Sequence, residues 1–140
     1  MSVRKNEQTT SSFNVLDTAL KLSTYVCNIL TNEKIFVPRY QKLIDKIMAE
    51  SCMIYHNCRV ANKIDMRNSD DELYFERAKL RVKLEGEAIR MCEELLTDIM
   101  ISEKVFHLRA SRVKWWTKLT VEAKNSIDAW HKSELRRYGL

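Results

Sequence analysis

The stretch from Lys104 to Arg137, KVFHLRASRVKWWTKLTVEAKNSIDAWHKSELRR, contains neither glycine nor proline. Its apolar residues return at helical spacing, so it reads as one long helix. The same economy holds throughout: 140 residues include two glycines and one proline. Sheets need turn glycines, whereas helices joined by short connections do not, so the chain is all-α. The stretch also carries Trp115, Trp116 and Trp130, with nine Lys/Arg against three Asp/Glu. The other residues hold fifteen Lys/Arg and sixteen Asp/Glu, so the basic excess behind the +5 net charge lies in this segment. A basic, tryptophan-bearing helix on an otherwise neutral chain suggests a surface that meets an anionic partner.

Working outward, the length fits one domain, with a polar tail at 1–11 and a helical domain at 12–140. The first helix is predicted from about Ser12 to Leu30, with Phe13, Leu16, Leu20, Val26 and Ile29 as its stripe. Thr31 to Val37 connects it to a second helix, opened by Pro38, whose missing N–H costs nothing at a first helical position. Tyr40, Leu43, Ile44, Ile47, Met48, Ile54, Tyr55 and Ala61 give the inner face of this helix, which runs to about Arg67. Ser69-Asp70-Asp71-Glu72 has the form of a capping box for a third helix reaching Met100. Ser102 is the expected cap of the fourth, and Gly139 lies just past its end. Four long helices with short connections predict an antiparallel up-down four-helix bundle.

On a helical wheel the apolar arcs of helices 3 and 4 are wider than one core needs. Leu73, Leu80, Leu84, Ala88, Met91 and Leu95 form one stripe on helix 3, and Phe75, Val82, Ile89 and Met100 a second. The surplus suggests contact with another subunit, and Trp115, Trp116 and Trp130 are candidates for packing within and between subunits. Four arginines lie inside these arcs: Arg77, Arg81, Arg109 and Arg112. Lys and Arg are almost never fully buried unless paired. Two readings are open: they snorkel or pair with Glu85 or another inner carboxylate, or they line a groove that faces phosphates or a partner protein. Lys114 and Lys118, one turn apart on the polar face, are either a solvated face or a phosphate-tracking stripe.

Catalytic arrangements are lacking, so an enzyme is not expected, nor a cofactor or a metal centre. The sequence has no paired Glu-x-x-His motif, no glycine-rich phosphate loop and no nucleophile elbow. His56, His107 and His131 are widely spaced. Glu93, Glu94 and Asp98 read as a solvated helix face. Cys27, Cys52, Cys58 and Cys92 form no C-x-x-C pair and read as reduced core thiols in a cytosolic protein. A metal site from Cys52, His56 and Cys58 is the weaker reading, because Cys58 points away from the other two. Apolar runs are too short for a membrane span, and no signal peptide is expected.

Particular residues resemble a known family. They are Pro38 with Tyr40-Gln41-Lys42-Leu43 behind it, Ala61-Asn62, Ile99-Met100-Ile101-Ser102-Glu103-Lys104, and the closing Ala129-Trp130-His131-Lys132-Ser133. Over about residues 15–135 the chain resembles the accessory variability determinants of diversity-generating retroelements, four-helix-bundle proteins related to those encoded in 23S ribosomal RNA intervening sequences. One departure is Asp128-Ala129, where the family often has a glycine pair before the closing Trp. The resemblance implies a bacterial or phage-encoded, cytoplasmic accessory protein without catalysis of its own. It would assemble into a ring-shaped homopentamer, bind the element's reverse transcriptase and template RNA, and support mutagenic cDNA synthesis. An intervening-sequence type of bundle, binding ribosomal or other RNA without a polymerase, is the alternative.

Overall fold

A computed structural model describes the backbone from Ser2 to Leu140 and the side chains from Asn14 onward. Its elements are α1 (Ser2–Ile29), a 3-10 turn (Pro38–Tyr40), α2 (Gln41–Lys63), α3 (Tyr74–Val105) and α4 (Ala110–Tyr138), with no strand among the described residues. Helix α1 packs on α2 and α4, and α3 packs on α2 and α4, so each helix touches its two neighbours in an antiparallel four-helix bundle. The helical backbone of α1 takes in the stretch read as a polar tail. No described helix is long and apolar enough to cross a membrane.

The core follows the heptad-like spacing of each helix. Val15, Ala19, Leu22 and Val26 come from α1, and Ile44, Ile47, Ile54, Cys58 and Ala61 from α2. Ala88, Cys92, Leu95 and Ile99 of α3 meet Trp116, Leu119, Ala123, Ile127 and Trp130 of α4. Two stripes differ from expectation. Leu20 is exposed, and Val15, Ala19 and Leu22 take the inner positions of α1 in its place; Phe13 lies outside the described side chains. Tyr40 of the 3-10 turn and Met48 of α2 sit at the rim, Tyr40 with its ring edge on Phe106.

The helix ends correct the sequence reading most. Helix α2 stops at Lys63, and Arg67 instead pairs with Asp65 in the connection. The Ser69 capping box does not form. Asn68 Oδ1 accepts the Asp70 N–H, Asp71 Oδ1 accepts the Leu73 N–H, and α3 begins at Tyr74. Short Asx turns have won the competition for these backbone donors. Ser102 does not cap α4, because it is buried in α3, which continues to Val105.

The turn between α3 and α4 is a Schellman closure. Phe106 N–H donates to the Ser102 carbonyl, and Leu108 N–H reaches back to the Glu103 carbonyl at 3.2 Å. The residue between them, His107, takes the left-handed conformation with φ 54°, a position that glycine fills most easily. Gly139 does so at the end of α4, where φ is 66° and the Leu140 N–H bonds the Leu135 carbonyl. A side chain in the left-handed region costs roughly 1–2 kcal/mol. His107→Gly is therefore expected to raise the unfolding free energy by up to about 1 kcal/mol, after the larger chain entropy of glycine is set against the relieved strain. Urea denaturation checks this, and a loss of stability would mean that the His107 ring makes a compensating contact.

Candidate functional site

The four arginines picked from the wheel do not gather on one surface. Arg77 and Arg81 lie in the first turns of α3, and Arg109 and Arg112 flank the start of α4. With about 1.5 Å of rise per residue, α3 separates the two pairs by roughly 40 Å.

Arg81 is buried, and its partners are internal. Its Nε donates to Glu134 Oε1 of α4, and its Nη1 donates to the carbonyls of Ala61 and Ile64 at 3.2 and 3.3 Å. These carbonyls lie at the C-terminal end of α2, where Ala61 also accepts the Ile64 N–H and Ile64 is the capping residue. Arg137 holds the other Glu134 oxygen at 3.0 Å, and the Arg81 guanidinium lies 5.5 Å from the Trp130 ring centre. One turn along α3, Glu85 Oε1 sits 3.1 Å from His131 Nδ1. Burial, and then the neighbouring Glu134 carboxylate, pushes the Glu85 carboxyl up to about 9. Desolvation pushes His131 down. Glu85 and His131 thus meet as a neutral pair at neutral pH, beside the contact between Arg81 and Glu134.

Arg81 therefore takes the internal-carboxylate reading, not that of a partner surface. Arg77 is half-exposed and bonds Asp71 Oδ2 at 2.9 Å, so its fork is engaged with the α2–α3 connection.

A second polar cluster joins α2 to α3. Lys46 Nζ lies 2.6 Å from Asp98 Oδ2 and 3.4 Å from Glu50 Oε2. Asp98, expected on a solvated face with Glu93 and Glu94, is buried here. Burial, and then the Asp98 carboxylate, pushes the Glu50 carboxyl up to about 8.

The opposite end of the bundle is different. A cleft of about 390 Å³ is lined by Lys34, Ile35, Phe106, His107, Leu108, Arg109 and Arg112. Lys34 and Ile35 come from the α1–α2 connection, and the others from the α3–α4 turn and the start of α4. Lys34, Arg109, Arg112 and Lys114 have no carboxylate partner among the described residues. Arg109 is the capping residue of α4, in extended conformation, and no side chain caps this helix start. The positive end of the helix dipole adds to the cationic side chains there. Arg112 also acts electrostatically on Tyr25 of α1.

The tandem tryptophans divide. Trp116 is fully buried and Trp130 nearly so, within one chain. These two belong to the core of the bundle, leaving little surface to offer another subunit. Trp115 is 48% exposed, with Lys118 Nζ at 5.3 Å from its ring centre. Lys114 and Lys118 are exposed on α4, as their polar-face assignment requires. The cleft residues Lys34 and His107 were missed by the sequence reading. Their signal was weak: each sits in a connection, and only the up-down topology brings those two connections to one end. No family model, curated protein or solved structure matches the chain.

Two outcomes follow from the buried charges. Replacing Arg81 by Met leaves Glu134 with Arg137 and removes the guanidinium donor from the carbonyls of Ala61 and Ile64. This variant should lose about 3 kcal/mol in urea denaturation, and the double change Arg81→Met/Glu134→Leu should recover most of it. A single variant as stable as wild type would show that water replaces the guanidinium. The second outcome concerns pH. Glu50 keeps its proton in the fold up to about 8, against an ordinary value of 4.5. The unfolded chain has released that proton by neutrality, so this contribution to stability is present at low pH and is lost as pH rises towards 8. Glu85 acts in the same direction, while the depressed His131 acts below its ordinary 6.5. The urea midpoint should therefore fall between pH 6.5 and 8, and Glu50→Gln should make that fall shallower. An unchanged slope in the variant would place the proton elsewhere.

Proposed function

We propose that this chain is a non-enzymatic, nucleic-acid-binding accessory protein that engages RNA through the unpaired cations at the α3–α4 end and along α4. The supporting observation is that Lys34, Arg109, Arg112 and Lys114 lie without carboxylate partners, whereas Arg77 and Arg81 are taken up by Asp71 and Glu134. Unpaired cations are free to replace the counterions around phosphates, which is the electrostatic source of nucleic-acid affinity. The guanidinium forks of Arg109 and Arg112 suit bidentate phosphate contact. Exposed Trp115 beside Lys118 offers a stacking face next to a charge.

The resemblance to accessory variability determinants supplies the finer reading. The partners are then a reverse transcriptase and its template RNA in the cytoplasm, and the chain works as a ring-shaped homopentamer. Exposed Leu73, Phe75, Leu80, Met100 and Trp115 favour an assembly that covers apolar surface.

Fluorescence titration with a single-stranded RNA over a salt series tests the central claim. The slope of log K against log salt should be clearly negative and should lose about 0.7 for each phosphate contact removed. Arg109→Ala/Arg112→Ala should therefore flatten it by roughly 1.4, while Arg77→Ala, whose side chain is held by Asp71, should leave it unchanged. A wild-type slope near zero would end the reading. Co-purification with a reverse transcriptase encoded beside this chain tests the finer one; RNA binding without it favours the intervening-sequence type.

A further inference from the structure

Cys27 of α1 and Cys52 of α2 bring their sulfur atoms to 4.0 Å. Cys27 is half-buried and Cys52 exposed, unlike the core thiols expected from sequence; Cys58 and Cys92 are buried. Burial pushes the Cys58 thiol up, and the Cys92 thiol up to about 12, so neither offers a reactive thiolate. The seam that holds the exposed pair is fixed by a buried bond. One turn before Cys27, Ser23 Oγ donates to the carbonyl of Ser51, the neighbour of Cys52, at 2.7 Å. That bond sets the axial register of α1 against α2 at the height of the two sulfurs. A disulfide needs sulfurs at about 2.05 Å, and the remaining gap of about 2 Å is within the reach of side-chain rotation between staggered wells.

We propose that Cys27 and Cys52 form an oxidation site, at which hydrogen peroxide converts the facing thiols into a disulfide that staples α1 to α2. This inference stands apart from nucleic-acid binding and does not depend on it. One thiolate attacks a peroxide oxygen; the S–O bond forms, the O–O bond breaks, and hydroxide leaves. The second thiolate attacks the sulfenic sulfur; the S–S bond forms and the S–O bond breaks, again releasing hydroxide. The two hydroxides take up the two thiol protons. Two thiols are thus oxidised by two electrons and one peroxide is reduced to two waters. Desolvation, and then the neighbouring Cys27, holds the Cys52 thiol above its ordinary value. Because the thiolate is the nucleophile, the reaction accelerates as pH rises. The staple closes a loop of about 25 residues and should raise Tm by roughly 10 °C.

The test is titration of the full chain with hydrogen peroxide, followed by intact mass, alkylation in denaturant and peptide mapping. Oxidation should remove about 2 Da, the two hydrogens of the thiols, and leave Cys58 and Cys92 alkylatable. The map should join the Cys27 and Cys52 peptides, Tm should rise, and dithiothreitol should reverse all of these. Cys27→Ser and Cys52→Ser should each abolish the mass loss, whereas Cys92→Ala should not. Three results would overturn the proposal: mass gains of oxygen on the folded wild type without an internal bridge, a disulfide between two chains, or independent alkylation of both thiols after oxidation.

Discussion

The architecture depends on one buried charge, the guanidinium of Arg81. It is anchored on α3, pairs with Glu134 of α4 and donates to the two carbonyls that end α2. Three helices are thereby held together at one end of the bundle. Desolvating such a pair offsets much of its Coulombic gain, so its contribution lies less in net stability than in register. A guanidinium has donors in a fixed fork. If α4 slid by one turn, Glu134 would leave that fork and the buried guanidinium would lose its carboxylate. Arg137, Trp130 and the Glu85–His131 pair surround the site from the same two helices, so the whole end of the bundle is set by one geometric condition.

That condition also sorts the cations. Arg77, Arg81 and Lys46 are committed to Asp71, Glu134 and Asp98. Those around the α3–α4 turn are not, and they share a cleft with the capless start of α4. The cations around Arg81 thus include internally paired ones, whereas Lys34, Arg109 and Arg112 at the α3–α4 turn have no carboxylate partner among the described residues.

The helix count was legible because it rests on scarcity of glycine and proline, which acts over whole segments. The boundaries were harder. Ser102 has the chemistry of a cap, yet it sits on the inner face of α3, and packing extended the helix past it to Val105. The true break lies at His107, which adopts the left-handed conformation without being glycine, so no residue type announced it. The wheel was right that Arg81 faces inward and blind to why, because Glu134 is on another helix and no single-helix pattern encodes the pairing. Asp98 was misread for the same reason: its partner Lys46 comes from α2. The tandem tryptophans could have been separated beforehand. Adjacent helical residues point about 100° apart, so Trp115 and Trp116 could not both occupy the centre of one core.

The outward turn of Trp115 bears on how α4 can serve two masters. Its inner face must fill the bundle, and Trp116, Ala123, Ile127 and Trp130 do this with a strict helical repeat. The outer face is free of that constraint and carries Lys114 and Lys118 one turn apart, with the Lys118 ammonium over the Trp115 ring. A cation on an aromatic face keeps its charge, and Trp115 remains 48% exposed beside it. If a nucleobase stacks on Trp115, Lys118 must leave the ring and swing to the phosphate that accompanies the base. On the proposed RNA-binding reading, the cation–π contact would be the resting form of a two-part site.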